Sequence, residues 1–248
     1  MVTVPVGVAG FSATADARLL PADTLKRQLV ENRGVTMSKS FTAMKGRKRV
    51  HFWTKGTAEF GTGKIVATDL MYRSDLKYLT RPIRKIVFGG REYVRDSATR
   101  KGKHWTLNED KKIQPSLDAD WIKLADPVML KAVLATTRVK RPAGVYEGTR
   151  TTLCQGEITV GRLERAAPGS FSGFDVRTDV RTKVSWRLWL GEDQLVRRLR
   201  GSWKGQHSGG SARRFSYIVD VRLTGWGAEN DIMPPSADDV VASDAGRE

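Results

Sequence analysis

The sequence is poor in the residue types that metal centres and redox sites use. It contains one cysteine, Cys154, and three histidines among 248 residues. A single cysteine excludes an intramolecular disulfide and any metal site built from several cysteines. The histidines, His51, His104 and His207, lack the spacing of a metal-binding motif. We therefore expect no bound metal or cofactor, and histidines that are exposed or hydrogen-bonded.

Catalytic motifs are also missing. Residues 169–173 read Gly-Ser-Phe-Ser-Gly, which puts Phe171 where a nucleophile elbow needs its serine. Gly61 and Gly63 lack the third glycine of a dinucleotide-binding loop and precede a predicted strand instead of a helix. The sequence therefore predicts a protein that is not an enzyme.

No apolar run approaches the roughly 20 residues of a transmembrane helix. Residues 2–15 are small, apolar and uncharged, and Ala13 and Ala15 suit the −3 and −1 positions of a signal-peptidase site. The basic start of a secretory signal is missing. Two interpretations stay open: the back half of an export signal, which makes the mature protein extracytoplasmic, or a disordered cytoplasmic tail. No cysteine follows that would accept a lipid anchor.

The positive charge is the unusual feature of the composition. The formal net charge is +16, and such a field attracts polyanions such as nucleic acid, anionic lipid headgroups or acidic wall polymers. It does not choose among them, and the same residues also suit plain solvated surfaces. The basic residues cluster at Lys45, Arg47, Lys48 and Arg49, at Arg100, Lys101 and Lys103, at Arg138, Lys140 and Arg141, and at Arg197, Arg198 and Arg200.

Long amphipathic strands are the clearest structural signal. Residues 214–224 alternate between polar and apolar types with one exception, Ile218. Successive side chains of a strand leave opposite faces, so this period of two predicts a strand roughly 30 Å long. Residues 184–190 alternate in the same way and form a hairpin with residues 195–203.

The remaining pattern is rich in strands, with two helices. We expect strands at 40–55, 57–72, 105–107 and 149–163, and a hairpin around Gly89 and Gly90, because adjacent glycines supply a tight turn. The first helix is expected over 21–33, capped by Asp23 or Thr24 and stopped by Gly34. The second begins at Asp126 and Pro127 and ends in the segment 138–144.

The C-terminal third resembles the actinobacterial LppX/LprG-type lipoproteins of the LolA-like superfamily. The resemblance rests on residues 184–200 (VSWRLWLGEDQLVRRLR), 219–223, Trp226-Gly227, Asp231-Ile232 and 234–241 (PPSADDVV). Residues 102–107 and 148–158 match more loosely, and the similarity spans about residues 24–241. It implies an α+β fold, in which helices cover the concave face of a single curved antiparallel sheet, an unclosed half-barrel. One domain would span residues 21–241, between tails at 1–20 and 242–248.

The resemblance implies an apolar cavity for a lipid, a lipoprotein acyl chain or another amphiphile. We expect the apolar sides of the strands and of the second helix to line it, in a monomer whose basic loops contact anionic membrane surfaces. These residues are Val184, Trp186, Leu188, Phe215, Tyr217, Val219, Val221, Leu130, Val133 and Leu134. The same side chains would also suit a dry core.

Two other functions remain open at this point. The chain also suits a non-lipid interaction module with a basic surface, either a sensor or a partner of an envelope protein. A nucleic-acid binder is the third candidate, because Trp189 shares a strand face with Arg187 and aromatic rings beside arginines can stack on bases.

Overall fold

One large antiparallel sheet dominates the computed structural model, which describes residues 20–77, 81–96, 104–168, 180–206 and 214–243. Its twelve strands are ordered β14-β6-β5-β4-β3-β2-β1-β13-β12-β11-β10-β9. The edge strands β9 and β14 do not pair, so the curved sheet stays open. This confirms the predicted fold class. Every pairing is antiparallel except β14 with β6, which is parallel.

The strands are numbered in the order in which they occur along the chain. They are β1 Arg33–Lys45, β2 Lys48–Gly61, β3 Lys64–Ser74, β4 Ile83–Phe88, β5 Arg91–Arg95, β6 Trp105–Glu109, β7 Asp118–Ala119, β8 Ile122–Lys123, β9 Thr137–Tyr146, β10 Thr149–Thr159, β11 Lys183–Gly191, β12 Val196–Gln206, β13 Arg214–Glu229 and β14 Val240–Ala242. The helices are α1 Pro21–Gln28, α2 Pro127–Leu134 and α3 Val160–Ala166, with a short 3-10 turn at Ala237–Asp239. Strands β7 and β8 form a separate two-stranded hairpin.

Several predicted boundaries were wrong because turns interrupt them. The first helix ends at Gln28 instead of residue 33, since Asn32 takes a positive φ of 58° and Arg33 already pairs in the sheet. Residues 40–55 are not one strand, because Gly46 turns the chain with a φ of 60°. The hairpins at Gly89-Gly90 and at 191–195 are confirmed.

Two further predictions fail around α2 and α3. Residues 138–144, expected to end the second helix, belong to edge strand β9. The strand expected over 149–163 stops at Thr159, whose hydroxyl accepts a hydrogen bond from the Arg162 amide and so caps α3. The cap on α2 is confirmed, because Asp126 accepts from two amides of the first turn. Most of the predicted tail 1–20 and residues 244–248 lie outside the described residues.

The two faces of the sheet bury different clusters. The face that we call inner packs against α1, α2, α3 and the β7–β8 hairpin, and it contains the main apolar core. The outer face carries a smaller cluster over β3 to β6, where Ile232 and Val240 of the C-terminal segment pack on Ile86, Tyr93 and Trp105. The helices and the hairpin together therefore form a cover over one face only.

Candidate functional site: the inner face of the sheet

The predicted ligand-binding residues all come together on the inner face. The strand residues Val184, Trp186, Leu188, Val219 and Val221 are at most 1% exposed, and Tyr217 is also buried. In α2, Leu130 and Val133 are buried against them, while Leu134 and, on β13, Phe215 are only partly buried. The ten residues therefore belong to one apolar cluster; its role in binding a ligand stays a prediction.

The β7–β8 hairpin packs on this face, and it was not predicted from the sequence. Its apolar residues Leu117, Ala119, Trp121, Ile122 and Leu124 are buried. The first three recur at every second position, a pattern that would have indicated a short strand. The Trp121 ring meets the Trp203 ring edge-on, with centroids 6.1 Å apart. The hairpin thus packs its apolar side against the strands that were predicted to bind the ligand.

An ion cluster connects the hairpin to the sheet. Lys39 lies on the inner face of β1 between apolar neighbours, and its Nζ donates to Asp118 Oδ1 at 3.1 Å and to Asp120 Oδ1 at 3.2 Å. Burial alone lowers the pKa of Lys39, but the two carboxylates outweigh it and raise that pKa above its usual value. Burial also raises the pKa of Asp120, against the opposing charge of Lys39. We call these three residues the clasp.

The polar side of the inner face continues from the clasp toward β5. Tyr72 lies in the same cross-strand row as Lys39, with Thr54 between them. Burial, followed by the charge of Asp118, raises the pKa of Tyr72 to about 12. Beyond it, Lys85 Nζ donates to Glu92 Oε1 at 2.8 Å. The inner face is therefore apolar over β10 to β13 and carries a polar patch over β3 to β5.

A group of aromatic side chains lies on the inner face near the β1–β2 turn, where several of them are only partly buried. We call this group the aromatic rim; Phe41, Phe52 and Phe215 are half-buried there. The rings of Trp203 and Tyr217 stack at 5.3 Å between centroids, and those of Phe215 and Tyr217 at 6.0 Å. The rim consists of Phe41, Phe52, Trp203, Phe215 and Tyr217.

The described residues offer little reactive chemistry. No group of histidine, cysteine and acidic side chains suited to a metal ion occurs among them. His51 hydrogen-bonds Thr42 Oγ1 and His104 hydrogen-bonds Asp239, while His207 lies outside the described residues. Cys154 is buried, and burial raises the pKa of its thiol, which makes it a poor nucleophile. Within the same residues, no helix is long and apolar enough to span a bilayer.

Comparisons with known proteins give distant structural similarities. No protein-family profile matches the chain, and no characterised protein matches it in sequence. Among solved structures, it is similar to LprF from Mycobacterium bovis, with a TM-score of 0.44 and 12% identity over 87% of this chain and 96% of that one. A DUF1329 family protein from Desulfovibrio piger gives a TM-score of 0.30 and 9% identity, over 82% of this chain and 90% of that one. A chain of the MucA/MucB complex of Pseudomonas aeruginosa gives a TM-score of 0.25 and 12% identity, over 82% of this chain and 94% of that one. At these TM-scores the similarities carry no argument about function.

Proposed function

We propose that the chain is an extracytoplasmic binding or carrier protein for a lipid or another amphiphile. The ligand lies against the apolar half of the inner face, between the sheet and its cover, and the protein performs no catalysis. The observation that carries this proposal is the construction of the cover. Two helices of eight residues, one of seven and a two-stranded hairpin cover the apolar face. A cover of separate short elements can move apart locally, whereas a second packed sheet could not.

The aromatic rim supports a route to the inner face. Phe41 and Phe215 continue the buried strands β1 and β13 but remain half-exposed. The Lys45 ammonium lies 5.2 Å from the centroid of the Phe215 ring, so a cation stands at the outer limit of the rim. An amphiphile needs both features, because its chain requires apolar surface while its anionic head requires a cation near water.

The energetics of an acyl chain favour this assignment. Each buried methylene contributes about 0.8 kcal/mol, so a sixteen-carbon chain gains roughly 12 kcal/mol before the costs of ordering and association. Displacing the β7–β8 hairpin breaks the clasp and uncovers Trp121. We therefore expect a measurable affinity, lowered by the work of moving the hairpin.

Two neighbouring positions of β1 provide a direct test. Ala43 points inward at the rim, opposite Tyr217, whereas Met44 points outward, opposite Ser216. Ala43→Glu places a carboxylate in the route of the acyl chain, and Met44→Glu adds the same charge on the outer face. We expect Ala43→Glu to weaken the binding of a fluorescent fatty acid at least tenfold and Met44→Glu to leave it unchanged. Equal affinities in the two variants would refute the proposal, and lipid identified by mass spectrometry after native extraction would support it.

A further inference from the structure

A concavity lies on the outer face of the sheet, away from the inner core. It is a groove of about 450 Å³ over β10 to β13, with Arg138 of β9 at its border. This volume lies within the range of small-molecule sites, about 300–1,000 Å³. Its lining residues are Arg138, Gln155, Gly156, Glu157, Ser185, Trp186, Arg187, Arg200, Gly201, Ser202 and Ile218.

The groove arises from two cross-strand rows of different side-chain length. Ser185 of β11 stands directly opposite Ser202 of β12, and these short side chains form the floor. One step along the same strands, Arg187 stands opposite Arg200, and these long side chains form a wall. Two hydroxyl groups and two guanidinium groups therefore border the same space.

The wall places two like charges on opposite strands. Like charges directly opposite each other on antiparallel strands repel. No carboxylate among the described residues lies within ion-pair distance of Arg187 or Arg200. Asp220 stands opposite Arg200, but Arg198 binds it through both of its oxygens.

The acidic residue of the groove, Glu157, has two cationic neighbours. Glu157 Oε1 lies 3.2 Å from Lys183 Nζ and 3.7 Å from an Arg138 nitrogen. The lining carries three arginines and one glutamate. Arg138 pairs with that glutamate, so Arg187 and Arg200 are the two lining cations that have no ion pair among the described residues. An anion in the groove would relieve the repulsion between the two wall arginines.

We propose that this groove is a binding site for a phosphate group, carried by a free phosphorylated compound or by a phospholipid headgroup. Guanidinium groups match the geometry of phosphate oxygens and form paired, charge-assisted hydrogen bonds with them. The Ser185 and Ser202 hydroxyls donate to the remaining oxygens. The site does not depend on a ligand at the inner face, because it lies on the opposite side of the sheet.

Inorganic pyrophosphate tests the groove in the full-length protein. Replacing both wall arginines (Arg187→Gln with Arg200→Gln) should weaken its binding by calorimetry at least about tenfold, because two charge-assisted contacts are lost. A charge-matched control, Lys111→Gln with Lys112→Gln, removes two exposed cations from the β6–β7 connection and should retain the affinity. Equal weakening in both variants would assign the binding to net charge and would overturn the proposal.

Glu157→Gln provides a test in the opposite direction. It removes the negative charge from the groove and frees Lys183, so pyrophosphate should bind several-fold more tightly. Circular dichroism confirms that each variant is folded. Unchanged or weaker binding in this variant would contradict the proposed role of the groove.

Vesicles distinguish the two sources of the phosphate. If the ligand is a headgroup, phosphatidylcholine vesicles containing phosphatidylglycerol bind the native protein and the lysine control, but not the double arginine variant. If it is a free compound, pyrophosphate discriminates between the variants while the vesicles do not. The proposal fails if pyrophosphate does not distinguish the double arginine variant from the lysine control, whatever the vesicles do.

Discussion

The clasp makes a quantitative prediction about how the hairpin is held on the sheet. Lys39→Met removes the ammonium group and keeps an apolar stem of similar length. Asp118 and Asp120 then remain close together without their cation, and the Asp120 side chain is only 11% exposed. Removing one partner of a buried ion pair costs about 3–5 kcal/mol. Because 31% of the Asp118 side chain is exposed, we expect the lower end, about 3 kcal/mol.

Denaturant unfolding and hydrogen exchange measure this cost at two levels. The free energy of unfolding should fall in Lys39→Met. Relative to the native protein, hydrogen exchange should accelerate more at the amides of residues 117–124 than at those of β11 and β12. Lys55→Met is the matched control, since it removes an exposed lysine from β2. Adding Asp118→Asn and Asp120→Asn to Lys39→Met should recover most of the loss, because no buried charge is then uncompensated. A cost no larger than that of Lys55→Met would refute the clasp.

Three further predictions concern stability. Because its pKa is raised, Tyr72 stabilises the fold below pH ~10, the usual tyrosine pKa, and this stabilisation is lost as the pH rises toward 12. The native protein should therefore lose stability between these pH values, and Tyr72→Phe should lose less. Asp126→Ala removes the cap of α2 and should cost about 1 kcal/mol in denaturant unfolding. Gly156→Ala should lower the free energy of unfolding by about 2–3 kcal/mol, because the new Cβ would lie 2.2 Å from the Thr136 carbonyl oxygen. Gly144→Ala is the control: its Cβ would contact no neighbour, so it should leave the stability unchanged in the same assay. The packing described here would be contradicted if Tyr72→Phe left the pH dependence of stability unchanged or if Asp126→Ala had no cost. The same holds if Gly156→Ala cost no more than Gly144→Ala.

Alternation allowed the long strands and their buried sides to be predicted from the sequence. Val219 and Val221 are buried, whereas Arg222 is exposed, because a strand with one buried face must alternate. The turn at Gly89 and Gly90 and the helix cap at Asp126 could also be predicted from the sequence, since each depends on neighbouring residues alone.

Contacts between residues far apart in the chain could not be predicted in the same way. Lys39 interrupts an apolar strand face, and its partners lie 79 and 81 residues further along the chain. The outer groove depends on the register that places Arg187 beside Arg200, which alternation within single strands does not fix. The end of β10 at Thr159 also escaped prediction, because Val160 and Leu163 suit a strand or a helix equally well by composition.

Photolabelling with a fatty acid that carries a diazirine tests most directly whether an amphiphile binds the inner face. After irradiation, peptide mass spectrometry locates the labelled residues on the full-length protein. If the amphiphile binds the inner face, we expect labels on Phe215, Tyr217 and Leu134, and we expect them to disappear when unlabelled fatty acid competes. Labels confined to outer-face residues such as Trp53 or Trp189, or labels that competition does not remove, would contradict it.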